Sequence, residues 1–75
     1  MRTFEQLKRI YKTQNIDKII YYISNAIDYF EKMLIDTDEE SNIQEITSVL
    51  ARLNDEIDML ENIKNKVLTL ILINQ

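Results

Sequence analysis

Neither glycine nor proline occurs anywhere in the 75 residues, although average usage would place about five of the first and about four of the second in a chain this long. Without glycine the chain has no cheap route to positive φ or to a close backbone approach. Phosphate-cradling loops, EF-hand turns and primed two-residue hairpins therefore all become improbable. Without proline nothing forces a helix to stop. An all-α fold made of a few long helices is expected, turned only where polar side chains can cap.

Such caps exist at three places. Thr3 and Gln6 have the spacing of a capping box, so a first helix is predicted from residue 3. Asn15 follows Thr13 and Gln14 and is a good N-cap. The stretch Asp36-Thr37-Asp38-Glu39-Glu40-Ser41-Asn42 offers an acidic turn with overlapping Thr37/Glu40 and Ser41/Gln44 boxes. From Ile16, the residues Ile19, Ile20, Ile23, Ala26, Ile27, Phe30, Met33 and Leu34 repeat with helical period. In the C-terminal half Ile43, Ile46, Leu50, Leu53, Ile57, Leu60, Val67 and Ile71 take the a and d positions of a heptad. Lys64 is the one charged residue in that seam, and Val49, Ile63 and Leu70 widen it at g.

Two arrangements remain open. The stripe Phe4, Leu7, Ile10 and Tyr11 points roughly 150° away from the stripe that begins at Ile16, at 100° per residue. Either the chain breaks near residues 13–15, giving three helices at about 3–13, 16–35 and 38–73, or residues 3–35 form one arm of a long hairpin with two apolar faces. In the unbroken helix Tyr22 and Tyr29 would line up with Phe4 and Tyr11. A single all-helical domain, 1–75, is expected in either case.

Composition bears next on association. Apolar residues make up 45% of the chain, including 13 isoleucines, and the mass is only 9.0 kDa. One small core cannot hide that much apolar side chain, and with no cysteine there is no disulfide to help. Dimerisation into a four-helix-type bundle is therefore expected, with Ile57, Leu60, Val67, Leu70 and Ile71 at the interface. The segment Val67 to Ile73 is apolar around most of its circumference and needs cover, but at seven residues it is too short to span a bilayer. Charge is divided: residues 1–35 sum to +2 and residues 36–75 to −6. Unlike ends attract, which favours antiparallel packing.

Chemistry is sparse. The absence of histidine and cysteine removes the usual general base, the usual thiol nucleophile and the common zinc, haem and iron–sulfur ligands. No enzyme activity, cofactor or metal is expected. The acidic turn starts like a calcium loop, but Ser41 stands where glycine is needed and Thr47 where the bidentate glutamate should be. The second acidic group, Asp55, Glu56, Asp58 and Glu61, spreads over several helix faces and reads as solvated or as a docking surface for a basic partner. Tyrosines off the isoleucine stripe suit an interface, since the ring is large and its hydroxyl tolerates water. Tyr11, Tyr22 and Tyr29, with Asp55, Asp58 and Glu61, are accordingly the expected partner-binding residues.

These features describe a small helical protein–protein interaction module, a regulator or inhibitor that masks a partner. Arg2, Lys8, Arg9, Lys12 and Lys18 beside Phe4 and Tyr11 leave a second possibility, a dimeric nucleic-acid-associated regulator with a basic N-terminal arm. The net charge of −4 opposes it. A structural coiled-coil subunit or assembly chaperone is the third. Charges at Arg2, Glu5, Lys8 and Arg9 interrupt any apolar leader, so a cytoplasmic location is expected. Richness in isoleucine, asparagine and lysine points to an AT-rich genome, such as that of a low-GC bacterium or its phage or plasmid.

Overall fold

A computed structural model describes residues 1–74 and contains three helices, α1 (Phe4–Tyr11), α2 (Ile16–Asp36) and α3 (Glu40–Ile73). The break at residues 12–15 decides between the two arrangements: the unbroken 3–35 arm does not form. Helix α1 opens with the expected reciprocal box. The Gln6 amide donates to Thr3 Oγ1 at 3.2 Å and the Thr3 amide to Gln6 Oε1 at 2.8 Å. It closes through Lys12, whose φ of 54° lies in the left-handed region, with its amide bonded to the Lys8 carbonyl. A lysine there costs on the order of 1 kcal/mol more than glycine, a strain that the glycine-free chain accepts in order to turn.

Asn15 then starts α2. Its Oδ1 accepts from the amides of Asp17 at 2.9 Å and Lys18 at 3.3 Å, satisfying two of the orphan donors of the first turn. Asn15→Ala should lower stability by about 1 kcal/mol in urea denaturation, with helical content otherwise kept.

The second turn departs from expectation. Helix α3 starts at Glu40, two residues later than predicted, and neither the Thr37/Glu40 nor the Ser41/Gln44 box forms. Thr37 is extended and closes α2, while Glu39 is the N-cap without a side-chain cap bond. Glu39 Oε2 instead accepts from Asn42 Nδ2 at 3.1 Å. Thr37 cannot leave one helix and open the next, so the reversal uses three non-helical residues.

The core is built from one face of each helix. Leu7 of α1, Ile19, Ile23 and Ile27 of α2, and Leu53 and Leu60 of α3 form one buried cluster, flanked by half-buried Phe4, Tyr11, Ile16, Ile20, Phe30, Leu50 and Ile57. Helix α2 therefore packs along α3 through the isoleucine stripe. At 1.5 Å per residue α3 is about 51 Å long and α2 about 32 Å, and the molecule measures 54 × 22 × 17 Å. Lys64 Nζ bonds Asp17 Oδ1 at 2.6 Å and so marks where the first turn of α2 meets α3. Past that point Val67 and Leu68 still border a groove with Phe4 and Ile16, and residues 67–73 of α3 are exposed. No helix among the described residues is long and apolar enough to cross a membrane.

Candidate interaction surfaces

Glu56 is wholly buried, unlike the solvated face expected of the group Asp55, Glu56, Asp58 and Glu61. Its carboxylate receives three bonds from Arg2. The Arg2 backbone amide donates to Oε2 at 2.9 Å, Nε to Oε2 at 2.8 Å and Nη2 to Oε1 at 2.8 Å. Burial alone pushes the Glu56 carboxyl up. The Arg2 hydrogen bonds and charge, with a smaller contribution from Arg52, overcome it and hold the carboxyl below its ordinary value. Hydrogen bonding to Glu56 raises the Arg2 guanidinium in turn. Arg2 thereby ties the segment leading into α1 to the middle of α3. The pair was legible in part: Glu56 lies in the g row with Val49, Ile63 and Leu70, and it is the one charged residue there.

The tyrosines separate into two places. Tyr11 and Tyr22 stack with ring centroids 5.4 Å apart and planes 25° from parallel, and Tyr21 meets Tyr22 edge-on at 5.9 Å. Tyr11 and Tyr22 meet because α1 folds back, not because they share one helix line. Tyr29 packs edge-on against Phe30 at 5.3 Å, two turns further along α2. Tyr21, Tyr22 and Tyr29 are exposed and Tyr11 is half-buried, so three of the rings form a continuous surface patch and Tyr29 stands by itself.

Asp55, Asp58 and Glu61 are exposed on α3. Among the described residues they enter no ion pair, and no three acidic side chains there converge on a point that could hold a metal ion.

The residues expected at a dimer interface also divide. Leu60 has no exposed surface, being enclosed by its own chain, and Ile57 is half-buried against the same core. Leu60 therefore belongs to the intrachain core and not to the expected interface, because its d position faces α2. Val67, Leu70 and Ile71 are 51%, 60% and 50% exposed, and Leu68, Leu72 and Ile73 are uncovered beside them. These six side chains lie together at one end of α3, and an uncovered apolar stretch of this kind is uncommon on a single soluble chain.

The basic N-terminal arm is partly spent inside the molecule. Arg2 is held by Glu56, and Lys8 lies 2.7 Å from Glu5 and over the Phe4 ring at 4.7 Å. Comparison with protein-family models, with curated proteins and with solved structures gave no match.

Proposed function

We propose that the protein is a non-enzymatic helical interaction module that works as a dimer and masks a surface of a partner protein, as a regulator or inhibitor. The observation that carries this reading is the division of labour along the molecule. A closed three-helix body displays the Tyr11, Tyr21 and Tyr22 patch, while the apolar end of α3 projects beyond it. Aromatic rings held on a rigid body are the usual anchors of protein interfaces, and the exposed acids Asp55, Asp58 and Glu61 would steer a basic partner. The alternative role on nucleic acid draws less support, because Arg2 and Lys8 are already bonded within the chain.

Tyr22→Ala and Tyr29→Ala separate the two aromatic places. In a pull-down from the native host, Tyr22→Ala should lose a stoichiometric partner at least tenfold, with helicity unchanged by circular dichroism. Tyr29→Ala should retain more of it. Full retention of the partner by Tyr22→Ala removes the patch from the binding surface. Loss of helicity assigns its ring to the fold.

A further inference from the structure

The aromatic patch does not belong to one rigid element. Tyr11 is the last residue of α1 and Tyr22 lies in α2, so their stack at 5.4 Å closes across the turn at residues 12–15. What holds α1 in place therefore holds the patch together. The eight residues of α1 put one side chain, Leu7, wholly into the core, and a helix of that length does not keep its shape in water without tertiary contacts. Behind it the turn holds Lys12 at a φ of 54°, a conformation that a residue with a Cβ leaves once it is free to do so. The remaining tie is Arg2 on the buried Glu56 carboxylate. Helices α2 and α3 have an interface of their own. Ile19, Ile23 and Ile27 pack with Leu53 and Leu60, and Lys64 bonds Asp17 in the first turn of α2.

We infer that α1 is a hinged flap on the α2–α3 hairpin, latched by Arg2 on Glu56, and that the latch controls whether the patch of Tyr11, Tyr21 and Tyr22 is assembled. This regulation rests on that patch being the binding surface. With the flap shut, Tyr11 lies on Tyr22 and the rings form one surface. When the flap swings out about residues 12–15, α1 unwinds, Tyr11 leaves Tyr22, and Lys12 relaxes. Glu56 loses the segment that covers it, and water replaces the three bonds from Arg2. The shut form alone keeps the carboxylate buried. Loss of the guanidinium therefore penalises the shut form and is relieved by opening. A partner that grips both Tyr11 and Tyr22 binds the shut form only, so partner and latch reinforce each other.

Native-state hydrogen exchange of the full chain, followed amide by amide against urea, tests the flap. The amides of Leu7 to Tyr11 should exchange at one shared rate, at least about tenfold faster than those of Ile23 and Leu53. Their urea dependence should be shallower, the mark of a unit that opens without the rest. Arg2→Met should speed this group about a hundredfold, the factor that corresponds to breaking a buried pair from one side. Arg2→Met/Glu56→Met should return it to within about tenfold of the native chain. Lys64→Met, which removes an exposed pair between α2 and α3, should change it less than about threefold.

One rate and one urea slope for α1 and for the α2–α3 core would overturn the inference, because α1 would then open only with the whole molecule. A rate that climbs steadily from Tyr11 towards Leu7 is fraying of a chain end and would overturn it too. An Arg2→Met effect no larger than that of Lys64→Met would remove the latch. None of these measurements involves a partner. The flap fails on exchange alone, whereas the patch as a binding surface fails on full retention of the partner by Tyr22→Ala.

Discussion

Replacing Arg2 with methionine should destabilise the folded chain by about 3 kcal/mol, because it takes the guanidinium from a fully buried Glu56 carboxylate and leaves it only the backbone amide of residue 2. Breaking a buried pair from one side typically costs about 3–5 kcal/mol, and the low end applies because Arg2 keeps 26% of its side chain exposed. For a chain of this size, with a total stability near the bottom of the range of about 5–15 kcal/mol, that loss leaves about 2 kcal/mol and raises the unfolded fraction to about 3%. The double replacement Arg2→Met/Glu56→Met should lie within about 1 kcal/mol of the native chain, since two apolar side chains of similar volume need no pairing. Urea denaturation of the single and double variants measures both values. If Arg2→Met costs less than about 1 kcal/mol, the pair is not what holds the N-terminal segment to α3.

The same pair fixes the acid response. The folded carboxyl of Glu56 lies below the ordinary value of 4.5, so the folded state gains from ionisation more than the unfolded chain does. That contribution is complete above the unfolded value and is lost as pH falls through the folded one. Stability should therefore decline below about pH 4.5. In Arg2→Met burial is opposed only by the backbone amide of residue 2 and the charge of Arg52, and this component of the decline should shrink.

Leu60→Ala should cost about 3–4 kcal/mol, the ordinary loss for emptying a leucine site in a packed core. Leu60 is completely enclosed and shares one cluster with Leu7, Ile23 and Leu53, so its removal loosens all three helices together. The loss should not depend on protein concentration, because the contacts lie within one chain. Leu70→Ala is the contrast. Its side chain is 60% exposed, and at concentrations where the chain is monomeric its removal should shift stability by less than about 0.5 kcal/mol. A cost for Leu60→Ala that grows with protein concentration would return this residue to an interface between chains.

Local chemistry was readable in the sequence, and long-range pairing was not. The Thr3/Gln6 box and the Asn15 cap depend on residues within three positions of one another, and both form as their spacing predicts. The isoleucine face of α2 follows from period alone. At the second turn Thr37, Asp38, Ser41 and Asn42 are all capable caps, and spacing could not rank them. Leu60 shows a different limit: a heptad reveals that a residue faces a helix, but not whether that helix belongs to the same chain. Only the length of α2 against α3 decides, and that depends on where both turns fall. Glu56 and Arg2 are 54 residues apart. Their union could be suspected from one charge in an otherwise apolar row, yet any base in the N-terminal half could have answered it. The continuous helix that would align Tyr22 and Tyr29 with Phe4 and Tyr11 does not form; Tyr11 and Tyr22 stack because α1 folds back, and Tyr29 packs on Phe30 instead.

Association is the central claim, and sedimentation equilibrium of the unmodified chain tests it most directly. Over about 1 to about 200 µM the weight-average mass should rise from that of one 9.0 kDa chain towards twice that value. A single-chain mass that stays constant across the whole range would contradict it.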